Sequence, residues 1–196
     1  MLVGVIYMID TAQLLINFLL FVLLPIWGIA GFADWLCHRF THIESTSGLK
    51  ESLMHSLMGV QIAIPILLCL LFEINVLILL ICIVTWLLHE LVAHWDVRYA
   101  APQREISIWE MHAHNYLGTL PMYMLIIIVI INWSVFIQLL SLDWSGSMRL
   151  DLLQQAHGGE GYLPIYLTCM AVLCVFPYLE ENIRCLRFHL KTRRSL

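Results

Sequence analysis

The sequence predicts an all-α fold, a polytopic membrane helix bundle of about five transmembrane helices that forms a single integral-membrane domain over residues 1–196. Three observations carry this expectation. The chain is 61% hydrophobic and only 12% charged, with a mean hydropathy of +0.84, which is too apolar for an ordinary soluble domain. Its apolar runs approach or exceed the roughly 20 residues that one helical crossing requires. Its polar chemistry is gathered rather than spread: the stretches 34–55 and 89–114 hold seven of the nine histidines and seven of the fourteen acidic residues.

Taken in order, the first apolar segment runs from about Leu14 to Ala33, with Pro25 and Gly28 placed to bend it. No basic residue precedes it, since Arg39 is the first positive charge, so an uncleaved helix is expected rather than a signal peptide. The helical period continues through Asp34, His38 and His42, which recur every four residues and share one face. Gly48 is the expected stop, Ser47 the expected cap of the next helix, and Glu51 and His55 lie again four apart. The apolar run Leu57–Phe72 then returns, Glu73-Ile74-Asn75 marks a tight hairpin tip, and Val76–Leu88 leads into the second polar stretch. Both runs are short. They cross if their helices continue into the polar ends; a buried hairpin that fails to cross is the competing reading on length.

Beyond a loop containing Pro102, a helix carrying Glu110, His112 and His114 feeds the fourth apolar segment, Leu117–Leu142. The glycine-bearing stretch 143–161 reads as a loop with a short interfacial helix near Leu150–Gln155. Tyr162–Leu179 is the fifth segment, and the basic tail 184–196 follows. Five crossings put both polar stretches and this tail on one side, together with nine of the ten basic residues, all but Arg149. The positive-inside rule makes that side the cytoplasm and leaves the N-terminus outside, as expected for a bacterial inner (cytoplasmic) membrane. The net charge of −4 offers no patch for nucleic acid. The six cysteines form no CxxC pair and read as packed thiols.

Four helix ends carry a carboxylate and a histidine four residues apart: Asp34 with His38, Glu51 with His55, Glu90 with His94, and Glu110 with His114. Such pairs project from one helical face, and four faces converging in a bundle supply nitrogen and oxygen donors for two metal ions. Soluble di-iron bundles follow the same plan with a Glu-x-x-His spacing, one residue shorter. The candidate ligands are Asp34, His38, His42, Glu51, His55, His89, Glu90, His94, Asp96, Glu110, His112 and His114, with Glu51, Glu90 and Glu110 as the candidate catalytic carboxylates. Of these, His42, Asp96 and His112, with Glu44, serve equally as partners that orient a ligating imidazole. Arg104 with Glu105 reads as a loop ion pair, and His157 and His189 lie outside the constellation. A wet rim in which these charges merely face water at helix ends is the plainest competitor.

The segment His89-Glu-Leu-Val-Ala-His94 has one residue too many for the zinc-protease motif HExxH, so its imidazoles diverge. Mixed histidine and carboxylate donors suit iron, and also manganese or zinc. Haem would want lone axial histidines instead.

The patterns Asp34-x-x-x-His38-x-x-x-His42, His89-x-x-x-x-His94 and His112-x-His114 resemble the histidine boxes of the integral-membrane di-iron family of fatty-acid desaturases, sterol and fatty-acid hydroxylases and alkane hydroxylases. The resemblance spans Asp34 to His114. His38 with His42 has the HxxxH form, while the chain lacks an HH doublet and is richer in carboxylates, which equally suits a separate membrane metalloenzyme family. The resemblance implies oxygen activation at two irons and hydroxylation or desaturation of a lipid-like substrate entering from the bilayer. It also implies a separate electron donor, because no haem, flavin or iron–sulfur domain is recognisable. Arg39, Lys50, Arg98 and Arg104 would anchor the cytoplasmic face, or hold an anionic head group or reductase. Two other classes remain open: a zinc-dependent membrane lipid hydrolase using the same residues, and a metal-ion or proton transporter, which would string its ionisable groups through the midplane.

Overall fold

The computed structural model describes residues 10–145 and 149–194. Within them six helices form: α1 (Thr11–Thr41), α2 (Gly48–Leu71), α3 (Val76–Ala100), α4 (Ile108–Ile131), the short α5 (Trp133–Leu140) and α6 (Tyr162–Arg194). All but α5 are long and apolar enough to cross a membrane. No strand occurs among the described residues, only one antiparallel bridge between Phe72 and Leu152. Large apolar side chains such as Ile29, Leu91 and Ile165 point outward, as helices solvated by lipid require.

Two of the long helices widen ahead of a proline. In α1 a π-helical turn spans Leu19–Leu23, where Leu24 N–H donates to the Leu19 carbonyl, just before Pro25. In α6 a second spans Ala171–Val175, where Phe176 N–H donates to the Ala171 carbonyl, just before Pro177. A proline cannot donate to the carbonyl one turn back, and the wider turn absorbs the mismatch without breaking the rod. The two helices run side by side in the same direction. A Cβ on Gly28 would lie 3.1 Å from Met170 Sδ, and one on Gly31 3.3 Å from Cys174 Sγ. The two glycines thus let α6 approach close enough for Tyr178 Oη to donate to the Gly31 carbonyl at 3.2 Å. Below this contact Leu20, Leu24, Trp27, Ile62, Leu120 and Tyr166 build the apolar core.

Local signals place the helix ends. Asn75 accepts from Ile78 N–H at 3.0 Å and starts α3 directly after the hairpin tip. The tip is tied to the loop before α6, where Glu73 N–H donates to the Asp151 carbonyl at 2.9 Å and Leu153 N–H to the Leu71 carbonyl at 3.0 Å. That pairing replaces the interfacial helix expected near Leu150–Gln155 with extended chain. The fourth apolar run also differs from expectation, because Asn132 donates to the Ile128 carbonyl at 2.9 Å and divides it into α4 and α5. At the other end of the bundle α1 stops at Thr41, with His42 in the left-handed region at φ 53°. The expected stop, Gly48, is left-handed too at φ 67° but opens α2, and the Ser47 side chain makes no cap bond. The basic tail is helical and continues α6 to Arg194; residues 195 and 196, like Gly146 of the preceding loop, lie outside the described residues.

The result is a bundle in which the C-terminal ends of α1, α3 and α6 meet the N-terminal ends of α2 and α4.

Candidate metal centre

At this meeting point five helices contribute polar side chains that are buried, apart from the partly exposed His114. Asp34 and His38 come from α1, Glu51 and His55 from α2, Asp96 from α3, Glu110 and His114 from α4, and Glu181 from α6. Glu51 and Glu110 lie in the first turns of their helices, where the helix dipole favours a carboxylate. Ser107 caps α4 by accepting from Glu110 N–H at 3.1 Å, which fixes the backbone at that carboxylate.

The donors fall into three overlapping sets, the atoms of each lying within 4.8 Å of one another: Asp34, His38, His55 and His114; His38, Glu51 and Glu110; and Glu51, His55 and Asp96. The His38 and His55 rings stack with centroids 4.5 Å apart. Glu181 holds both from behind, with its oxygens 3.0 Å from His38 Nδ1 and 3.5 Å from His55 Nδ1. Each imidazole thereby presents Nε2 to the interior of the cluster. His114 Nε2 lies 2.9 Å from Asp34 Oδ1, His38 Nε2 lies 3.3 Å from Glu110 Oε1, and His55 Nε2 lies 3.1 Å from Asp96 Oδ2.

Only the last of these three contacts is aligned as a hydrogen bond. Asp34 Oδ1, His38 Nε2 and Asp96 Oδ1 are buried without a hydrogen-bond partner although other donors crowd them. A buried polar atom left unsatisfied costs about 1–3 kcal/mol. Three such atoms in one cluster, each beside other donors without aligning to them, is the arrangement expected of atoms that bind cations.

Arg104, in the loop between α3 and α4, closes the cluster from the outside. Its guanidinium pairs with both Glu51 and Glu110, through Nε to Glu51 at 3.2 Å, Nη1 to Glu110 at 2.9 Å and shorter Nη2 contacts to each. Burial alone would lower its pKa, but the hydrogen bonds it donates to Glu110 and Glu51 outweigh burial and push it up, so the charge is permanent. The loop ion pair expected between Arg104 and Glu105 is not formed. Arg104 Nη1 meets only the Glu105 backbone carbonyl, at 3.5 Å, because two buried carboxylates outcompete one exposed one.

Comparison with family models, curated proteins and solved structures finds no match. The site alone therefore carries the functional reading.

Three of the four carboxylate–histidine pairs meet in the cluster. The fourth, Glu90 with His94, does not: both residues are exposed and belong to none of the three donor sets. His89 is buried but also stands outside the sets. His42 is 74% exposed and 3.3 Å from Glu44, which in turn pairs with Arg184. His112 is exposed on α4, two residues from His114 on another face of the helix. His157 lines a separate cavity of about 410 Å³ at the far end of the bundle, and His189 is exposed. Asp96 sits among the donors, within reach of Glu51 and His55. Glu181 was invisible to a rule that looks for a histidine four residues away. Its one sequence signal is an acidic doublet, Glu180-Glu181, at the end of an apolar run that crossing parity places on the same side.

A cavity of about 710 Å³ opens from the cluster into the apolar part of the bundle. Asp34, His55, Asp96 and His114 line its polar end, and Trp27, Leu67, Leu117, Tyr166 and Met170 line its length. Tyr178 stands at the junction, with its hydroxyl 3.3 Å from Asp34 Oδ2.

Proposed function

We propose that the protein is a membrane-embedded dinuclear metalloenzyme, with iron as its metal, that hydroxylates or desaturates a lipid-like substrate with O2. The observation that carries this reading is the charge of the cluster. Asp34, Glu51, Asp96, Glu110 and Glu181 are five carboxylates at 0–1% exposure, and Arg104 is the one guanidinium among them. Four negative charges remain. Two divalent cations neutralise them with all three imidazoles neutral, the form in which histidine binds metal, whereas one divalent cation leaves two charges for protonated imidazoles to balance. Asp34, His38, His55 and His114 would hold one ion. Glu51, Asp96 and Glu110 would supply carboxylate oxygens to the second.

The metals would supply oxygen binding and reduction. The chain's own groups set the conditions. Glu181 fixes the tautomer of His38 and His55 by accepting from Nδ1, Arg104 steadies Glu51 and Glu110, and the Tyr178 hydroxyl orients Asp34. The cavity excludes water from the centre and presents an apolar chain to it. Placing one atom of O2 in a C–H bond and reducing the other to water consumes two electrons and two protons, which a separate donor would deliver. The cluster lies at the end of the bundle that carries Arg39, Lys50, Arg98, Arg104 and the basic part of α6, and the positive-inside rule turns that end to the cytoplasm. The chemistry proposed is that of the integral-membrane desaturases and hydroxylases, whose histidine boxes the sequence resembles.

A second reading draws on the compact set of Asp34, His38, His55 and His114, which alone suits a zinc ion in a lipid hydrolase. It leaves Glu51 and Glu110 to pair with Arg104 and Asp96 with His55, without a metal to bind. Purified protein incubated with ferrous iron, a reductant and O2 in a native lipid extract should yield a lipid heavier by one oxygen, or lighter by two hydrogens, by mass spectrometry. Oxygen-independent cleavage of a lipid ester or amide would replace the oxidase reading with the hydrolase.

A further inference from the structure

The polar residues of α3 that stay out of the cluster form a second station in the cavity. His89 is 4% exposed and lines the cavity wall, and its Nδ1 has no hydrogen-bond partner. Glu90, the next residue, lines the same cavity and has no hydrogen-bond or ion-pair partner among the described residues, although it sits within an apolar span. Across from it on α4 stands Gly118, where an added Cβ would lie 4.0 Å from Glu90 Oε1. Space is therefore open beside the carboxylate.

An isolated carboxylate and an unsatisfied imidazole nitrogen inside an apolar span are both costly. Neither finds a partner among the described residues, and an ionised carboxylate can only accept. We propose that His89 and Glu90 form a binding station for the hydrogen-bond-donating group, a hydroxyl or an ammonium, of an otherwise apolar ligand. The station lies seven residues before Asp96 on α3, which at 1.5 Å per residue places it about 10 Å from the metal-binding level, deeper in the bundle. A ligand held there by its polar group lays its chain along the cavity and brings a carbon several bonds away to the cluster. The assignment rests on the cavity being the substrate cavity of the proposed centre, and it narrows the substrate to molecules that carry such a donor.

The test uses the full chain in nanodiscs and three probes of equal chain length: a long-chain primary alcohol, the corresponding amine, and the methyl ether of the alcohol, which keeps the oxygen but has no donor. Binding is read by native mass spectrometry. The alcohol and the amine should bind about tenfold tighter than the ether, the worth of one well-made hydrogen bond. His89→Phe should erase the preference for the alcohol, and Glu90→Gln that for the amine, with bound metal unchanged in both. Equal affinity for all three probes in the unsubstituted protein would overturn the proposal, and this comparison stands even if a variant fails to fold. So would a preference that survives both substitutions, or loss of metal in His89→Phe, which would make His89 a ligand. A probe preference in protein that binds no metal would sustain the station and sink the metalloenzyme.

Discussion

Replacing Arg104 by methionine removes the guanidinium that joins Glu51 to Glu110 and keeps most of the side chain's apolar length. The Arg104 side chain is 4% exposed and both carboxylates are fully buried, so no water takes the place of the lost charge. Removing one partner of a buried ion pair typically costs about 3–5 kcal/mol. For a chain of this size each kcal/mol moves the midpoint by roughly 2–4 °C, so the melting temperature should fall by about 6–20 °C. The measurement is a thermal melt of chelator-treated protein in detergent, because bound cations would mask the loss. Arg187→Met, an exposed site on α6, is the control and should shift stability by less than about 0.5 kcal/mol. Adding Glu110→Gln to Arg104→Met should recover part of the loss, since the second change removes a charge that the first left unpaired. A melting temperature for Arg104→Met equal to that of the control, or a double variant weaker than the single, would refute the bridge.

Other outcomes follow from the same geometry. His38→Ala should abolish metal binding at two of the three donor sets, whereas His42→Ala, on an exposed ring, should leave bound metal unchanged by elemental analysis. Glu181→Gln should lower metal affinity by about 10–100-fold without removing a ligand, because it loosens the rings of His38 and His55. Glu73→Ala should leave metal content and turnover intact, since that residue holds the hairpin tip through its backbone at the far end of the bundle.

Composition and run length made the helical bundle and its five long apolar helices legible, because lipid demands long apolar helices and little else. Breaks inside the runs were not legible. The division at Asn132 depends on one side chain folding back onto its own helix, and the two π-helical turns are a local response to Pro25 and Pro177. At the site, spacing by fours found Asp34, His38, Glu51, His55, Glu110 and His114, since the pairs share a helix and need only period to reveal them. The same rule included Glu90 and His94, whose helical face looks into the cavity rather than the cluster; which face of α3 turns inward is decided by packing against α2 and α4. Glu181 and Arg104 act across the fold without a spaced partner on their own segment, so periodicity could not single them out.

The measurement that bears most directly on the central claim is the metal content of the detergent-purified protein, by elemental analysis with Mössbauer spectroscopy of iron-loaded samples. Two metal ions per chain, with iron in a spin-coupled pair, is the result the buried charge predicts. Protein that is folded yet holds no tightly bound metal would contradict it, and a single zinc per chain would give the site to the hydrolase.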